Sequence, residues 1–536
     1  MNPSNRRTTV ARIPVPHANL TLHKMDGSPQ DFDIICYNII HNITTNSTIG
    51  CAMYFEMDMS GFSDEKLVIM QSDTSQEIKP SSNTGSITTS SYTAFLNSLS
   101  SEAKLSFTHN KLNTSQAVLM KYLYYDSFQL NTDQRSGAYI FRPNKTDQVP
   151  KEFNGFTSYD GYNGQFVKQL VLYGEQIDTI ISGSVSTDFV EIDTYLKGIP
   201  LTDQGQEVIL HFTFDEIKNN GTFYTDSMGL EMQKRIVDYR PTWKLNKTQP
   251  ISENYYPVNH GVTIKDDLMT LEILNDRSQG ATSLRDGEIE FMIQRRMYKD
   301  DGRGVGEALN ETNPDSLDGR GIQTNFKHFL RFYNNTEQHD VVQNSRWMQR
   351  EIDMPLIYVF GVEGNSTDTK ENEYTHLRMW DSGGNRKLFM ENFVLPDEVK
   401  MVMHPQANNS IFVRFENILD CVMDSIYQKS NNNISCNSSV TLNVDEIART
   451  LANLTSKMVK SVTEVSNTGL YTMEEMKEIR MKWKGTDYTT PEPDYSSNTT
   501  NIELTPQRIR SFILDFDDTK STAGTIRDYL SLLITA

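Results

Sequence analysis

The chain has 536 residues and a formal net charge of −19, with 37% hydrophobic residues. That length exceeds what one hydrophobic core organises, so about two to four modules are expected. The acidic balance makes nucleic acid a poor partner, because phosphate binding needs clustered Lys and Arg. No apolar run approaches the roughly 20 residues that cross a bilayer, so no membrane span is expected.

The N-terminus carries Arg6 and Arg7 but no apolar stretch behind them, so it does not read as a signal peptide. Other features nevertheless suit a secretory protein. Asn-x-Ser/Thr acceptor triplets recur at Asn19, Asn42, Asn46, Asn113, Asn144, Asn220, Asn246, Asn310, Asn365, Asn433, Asn437 and Asn453. An Asn- and Thr-rich chain also produces such triplets by chance. The four cysteines form two local pairs, Cys36 with Cys51 and Cys421 with Cys436. Local pairs in a β-rich chain fit hairpin-closing disulfides, with free buried thiols as the alternative.

Along the chain the dominant period is two. Val208, Leu210, Phe212 and Phe214 fall on one face of a strand. Met269, Leu271 and Ile273 do the same, opposite Thr270 and Glu272, and Ile289, Phe291 and Ile293 alternate with Glu288, Glu290 and Gln294. Half-buried antiparallel strands produce this pattern. Turn clusters separate them, among them Arg285-Asp286-Gly287 and Asp301-Gly302. Polar stretches at 72–91, 310–321 and 488–500 read as loops. One segment reads as a helix: Val444, Ile447, Leu451, Leu454 and Met458 recur at steps of three and four behind an Asn443 cap. The expected fold is mainly β, a series of antiparallel β-sandwiches with few helices. The expected modules are 1–110, a large one over 111–395, and a terminal one with one helix over 396–536.

Chemistry is sparse. Gly-x-Ser-x-Gly, His-Glu-x-x-His, a Walker loop and Asp-rich calcium loops are all absent. Gly302-Arg303-Gly304-Val305-Gly306 is glycine-rich but opens no apolar helix. Gln338-His339-Asp340 is the sole adjacent His/Asp pair and reads as a solvated loop. Asp300 and Asp301, side by side, suit a turn better than acid/base work.

Four segments resemble the lysosomal class of α-mannosidases, glycoside hydrolase family 38. They are Arg135-Ser136-Gly137-Ala138-Tyr139-Ile140-Phe141-Arg142-Pro143-Asn144; Phe223 to Gly229 with Tyr239 to Lys244 and Asn254 to Val258; Asp276 to Gly280 with Ser283 to Gly287; and Arg295-Arg296 with Lys299 to Glu307. Asn275, Ala281 and Gln294 depart mildly from the family pattern. The order matches the family's C-terminal half, which implies a galactose-mutarotase-like supersandwich among the sandwiches. The resemblance also implies a retaining exo-α-mannosidase that removes terminal mannose from N-glycan oligosaccharides, in the lysosome or secreted. In the intact enzyme, zinc and two carboxylates sit in an N-terminal catalytic half. No position here matches those motifs, so no zinc site, nucleophile or general acid is carried over. The expected partners are a mannose-containing oligosaccharide and that catalytic half.

By the same resemblance, Tyr139 and Arg303 are the expected wall of the sugar pocket, with interdomain packing as the alternative role. Asp276, Arg277, Arg285 and Asp286 are expected to form a buried salt-bridge and turn set. The competing reading of the whole chain is a non-catalytic, carbohydrate-binding or structural β-sandwich protein.

Overall fold

The computed structural model describes residues 7–42, 47–59, 65–81, 85–110, 115–145, 148–200, 202, 204–226, 228–314, 319–335, 341–361, 395–420, 439–454, 457–479, 481 and 501–518. Its centre is two nine-stranded antiparallel sheets laid face to face. The first runs, strand by neighbouring strand, Tyr256–Val258, Gln279–Thr282, Glu288–Arg296, Gln206–Phe214, Ser115–Asp126, Ala103–His109, Tyr92–Leu99 and Ser86–Thr88, with Lys151–Glu152 added beside Ser115–Asp126. The second runs Phe156–Asn163, Val167–Gly174, Ile177–Ser184, Val190–Leu196, Thr324–Asn334, Met269–Asn275, Gly261–Lys265, Thr222–Asp226 and Met232–Ile236.

Their inner faces share one core. Phe107, Met120, Leu210, Phe212, Ile289 and Phe291 from the first sheet meet Leu172, Ile181, Ile192, Leu271, Ile273 and Leu330 from the second. Full burial of each such side chain stabilises the fold by roughly 1.5–3 kcal/mol. A polar tie crosses the core as well. The Tyr122 hydroxyl lies 2.9 Å from Thr179 Oγ1 and 2.7 Å from Thr194 Oγ1. Burial raises this phenol to about 12.

The mainly β, antiparallel architecture is as expected, but three details differ. The strands Ser86–Thr88, Tyr92–Leu99 and Ala103–His109 hydrogen-bond into the first large sheet. We therefore place the start of the large body at Ser86, not near residue 110. The alternating strands are also covered on both faces: Glu207, Ile209, His211, Thr270, Glu272 and Glu290 are buried as well. Glu207 meets Ser136 and Arg295, Glu290 meets Tyr125 and Tyr255, and Glu272 meets Ser345, so the polar residues of these strands meet protein, not water. Third, Val341–Asp353 is a helix inside the segment expected to be β. Its Met348 packs on Leu274 and Phe329.

The N-terminal module is a three-stranded sheet, ordered Arg7–Val15, Ser47–Met59, Asp33–Asn42, beside the pair Leu20–Lys24 and Leu67–Gln71. Cys36 faces Cys51 in the ladder, and the two are disulfide-bonded, as their spacing predicted. The pair Cys421 and Cys436 lies outside the described residues. Strand alternation lets this sheet pack twice. Ile34 and Met53 enter the module's own core, while Ile35, Ala52 and Tyr54 press on Val171 and Ile180 of the second large sheet. The buried Asp33 carboxylate accepts the backbone N–H groups of Gln165, Phe166 and Val167 at 2.9, 2.7 and 3.1 Å. Arg12 pairs with Asp193 at 2.7 Å.

The terminal body is a four-stranded sheet, ordered Val399–Pro405, Ser410–Asn417, Ile509–Asp518, Lys457–Val465. The helix Val444–Leu454 forms where its period predicted, and Asn443 caps it by accepting the Glu446 N–H at 3.0 Å. Val444, Ile447, Ala448 and Leu451 pack on Val413, Phe415 and Phe512. Met458, expected to continue the helix, lies instead in the strand Lys457–Val465 and is exposed. The helical period ran on by coincidence into a residue on the wet face of a strand. A further short helix, Met473–Ile479, was not expected.

A charged clasp joins the large and terminal bodies. His260 Nε2 lies 3.0 Å from Asp353 Oδ1, and its Nδ1 lies 3.5 Å from Asp226 Oδ2. Lys400 takes the other Asp353 oxygen at 2.6 Å. Burial pushes His260 down, but hydrogen bonds to Asp226 and Asp353 outweigh it and raise the imidazole to about 9. A raised histidine contributes stability that is complete below its unfolded value near 6.5 and is lost as pH rises through the folded value. His260→Gln should therefore destabilise the chain by about 2–3 kcal/mol more at pH 5.5 than at pH 9.5 in urea unfolding. An equal loss at both pH values would contradict the clasp.

Candidate functional site

At one end of the large body, two loops meet over a buried carboxylate. The first loop, residues 127–143, follows the strand Ser115–Asp126; the second, residues 297–314, follows Glu288–Arg296. The base of the first is set by charges on otherwise apolar strands. Glu207 is fully buried and pairs with Arg295 at 3.0 Å. Its second oxygen accepts the Ser136 hydroxyl, and Arg295 Nη2 donates to the Ile140 carbonyl at 2.7 Å. Phe141 then seats against Tyr125 and Tyr255, with ring centroids 5.8 and 4.8 Å away. Both tyrosine hydroxyls donate to the buried Glu290, at 3.0 and 2.5 Å. Burial holds the Glu290 carboxyl above the ordinary range.

Asp301 ties the two loops together. Its Oδ2 accepts the N–H groups of Tyr139 and Ile140 at 2.7 and 3.2 Å, and its Oδ1 accepts the Arg303 N–H at 2.9 Å. Burial raises this carboxyl, but the three backbone donors, helped by Arg295, prevail and hold it below the usual carboxylate range. Gln134 adds a second tie. Its Nε2 donates to the Asp301 carbonyl at 2.8 Å, and its Oε1 accepts Nε and Nη2 of Arg303 at 2.9 and 2.5 Å. Gln129 adds a third by accepting the N–H groups of Tyr298 and Lys299 at 3.2 and 3.0 Å.

Tyr139 and Arg303, singled out from the sequence, thus stand on one loop cluster. Both side chains are exposed, Tyr139 by 65%. Asp300 and Asp301 act in turns, Asp300 by accepting the Gly302 N–H at 2.8 Å. What residue types alone did not reveal is the knot itself: Asp301, Gln134 and the Ser136–Glu207–Arg295 set. The available signal was a Glu and an Arg on adjacent strands of high hydrophobicity. The set Asp276, Arg277, Arg285 and Asp286 is corrected. Asp276 and Arg277 pair at 2.7 Å, but the Arg277 and Arg285 side chains are 45% and 69% exposed, so this is a surface turn set.

Of the acceptor asparagines, Asn220, Asn246, Asn310 and Asn453 are exposed, and Asn19 and Asn144 are half-buried. The side chains of Asn42, Asn46, Asn113, Asn365, Asn433 and Asn437 lie outside the described residues, as does the Gln338-His339-Asp340 stretch. Among the described residues no group of three or more His, Cys, Asp or Glu is placed to hold a metal ion.

A supersandwich of antiparallel sheets with a pinned loop cluster at one end defines the class. Residues 99–303 match the model of the glycosyl hydrolases family 38 C-terminal domain. Lysosomal alpha-mannosidase of Homo sapiens is 32% identical over 71% of this chain and 34% of that protein. Alpha-mannosidase of Canavalia ensiformis is 29% identical over 76% of this chain and 40% of its own length. An alpha-mannosidase structure from Enterococcus faecalis V583 covers 78% of this chain and 49% of that one, at 12% identity and a TM-score of 0.43, too loose to carry weight. The chain belongs to glycoside hydrolase family 38 as that family's C-terminal, β-sandwich part. It spans little more than a third of the length of these curated relatives.

The close approach at Gly137 gives a direct test of the knot. A Cβ there would lie 2.6 Å from both Cβ and N of Asp301. Gly137→Ala should cost about 1–3 kcal/mol in denaturant unfolding. It should also open the loop between Leu130 and Arg142 to protease. Unchanged stability and protection would contradict the packing described.

Proposed function

We propose that this chain forms the β-rich wall of the substrate cleft in a retaining, zinc-dependent α-mannosidase acting on terminal mannose of N-glycan oligosaccharides. The catalytic half, with zinc and both carboxylates, is an N-terminal partner. The observation that carries the reading is the Asp301 knot, which sets Tyr139 and Arg303 together, exposed, on the family's C-terminal domain. Such a rigid pair suits sugar hydroxyls. The phenol of Tyr139 donates and accepts, and the Arg303 loop offers a guanidinium already steered by Gln134. The names of the relatives support a lysosomal location. The chain alone is inactive in this reading, because the metal and carboxylates that would supply most of the transition-state stabilisation lie on the partner.

The test is hydrolysis of an aryl α-mannoside at acidic pH with zinc, by the 536-residue chain alone and with a family catalytic half supplied. Turnover should need both. In the reconstituted enzyme, Tyr139→Phe should lower kcat/KM about tenfold, and Arg303→Ala about 10- to 100-fold, the loss of one neutral and one charged hydrogen bond. Zinc-dependent turnover by the chain alone would overturn the reading, as would full activity of both variants.

A further inference from the structure

A second feature lies away from the loop knot, at the seam between the large and terminal bodies. A cavity of about 120 Å³ opens there behind the His260 clasp. Its floor is one face of the helix Val341–Asp353, where Arg346, Gln349, Arg350 and Asp353 fall at helical spacings of three and four. Lys400 and Glu416 reach it from the terminal sheet.

Cations outnumber carboxylates among the side chains that line this cavity. His260 and Lys400 share the Asp353 carboxylate, at 3.0 and 2.6 Å, and His260 also faces Asp226 at 3.5 Å. Arg346 is buried, and every partner it has is neutral: the carbonyls of Ile418, Gly229 and Leu230 and the Gln349 amide oxygen, at 2.5, 3.0, 3.3 and 2.5 Å. Among the described residues no carboxylate lies within 4.0 Å of that guanidinium; Asp420, Glu416, Asp226 and Asp353 act on it only from further out. Arg350 donates to the Asp397 carbonyl at 2.8 Å and lies 3.5 Å from Glu351, which it shares with Arg7. The lining itself carries four cationic side chains, His260, Arg346, Arg350 and Lys400, and two carboxylates, Asp353 and Glu416, with Asp226, Glu351 and Asp420 behind them.

An unmet donor marks the same place. Arg346 holds the Gln349 oxygen, which fixes the orientation of the amide. Gln349 is only 4% exposed, and its Nε2 has no hydrogen-bond partner. A buried donor left unmade costs roughly 1–3 kcal/mol. The space is ample for a tetrahedral ion.

We propose that this cavity binds a small tetrahedral oxyanion of the phosphate or sulfate class, which accepts from Gln349 Nε2 and offsets the buried Arg346 charge. Bound there, the ion bridges the two bodies and stabilises their seam. Glu416 is the wall group that opposes it, so the site has a built-in lever in each direction.

The probe is inorganic phosphate, with the full chain, in thermal unfolding at fixed ionic strength against chloride. Phosphate should raise Tm with a midpoint on the order of millimolar. Gln349→Leu should fold in chloride yet shift that midpoint at least tenfold upward, and Glu416→Gln should lower it several-fold. Phosphorus NMR should show the same ranking as line broadening of the free ion. No phosphate effect beyond chloride would mean that the cavity holds only water, and the proposal falls. An equal response in all three proteins would mean diffuse surface binding, and it falls likewise.

Discussion

Everything in this structure depends on the face-to-face burial of two nine-stranded sheets. That core fixes where each strand ends, and so where each loop starts. It also forces a choice for the outer faces. Each outer face carries residues that open water would tolerate, yet much of each is covered, the first by loops of the same body around Phe141 and Tyr255 and the second by other elements. The N-terminal sheet presses on Val171 and Ile180, and the helix Val341–Asp353 covers Leu274 and Phe329. Covering faces that hold Glu207 and Glu290 on the first sheet and Glu272 on the second obliges each of these acids to find partners. Arg295, Arg331 and a pair of tyrosine hydroxyls meet that demand.

The loop cluster follows from those buried charges. Glu207 and Arg295 give the loop of residues 127–143 a rigid base, Phe141 seats it, and Asp301 closes it against the neighbouring loop. A carboxylate that accepts three backbone N–H groups is a positioning device, because those donors sit on chain segments far apart in sequence. Tyr139 and Arg303 can stay exposed and still be fixed, since their backbones are held from beneath. The glycines around them serve this closeness, most clearly at Gly137, where no side chain fits against Asp301.

Periodicity made much of this legible. The strands around Leu210, Ile273 and Phe291 form where alternation placed them, and the helix behind Asn443 starts where its cap lies. The facing cysteines of the first hairpin pair as their spacing suggested. Alternation reports polarity, however, and not solvent. It took Glu272 and Glu290 for wet positions because it cannot see Ser345 or the hydroxyls of Tyr125 and Tyr255 closing over them. The same limit hid the knot, since the partners of Asp301 are backbone N–H groups and leave no trace in residue types. The helix Val341–Asp353 escaped because its buried face is built from Arg346, Gln349 and Arg350, whose polarity masks the helical period. The prominence of Tyr139 and Arg303 came from family resemblance, and their neighbourhood from the fold.

The central claim is that one carboxylate holds both loops in a single rigid unit. Backbone hydrogen exchange of the full chain, wild type against Asp301→Ala, tests it most directly. The account predicts slow exchange at Tyr139, Ile140 and Arg303 in the wild type. It predicts loss of protection at all three together in the variant, with the strands Gln206–Phe214 and Glu288–Arg296 unchanged. Fast exchange at these amides in the wild type, or protection that survives the substitution, would contradict it.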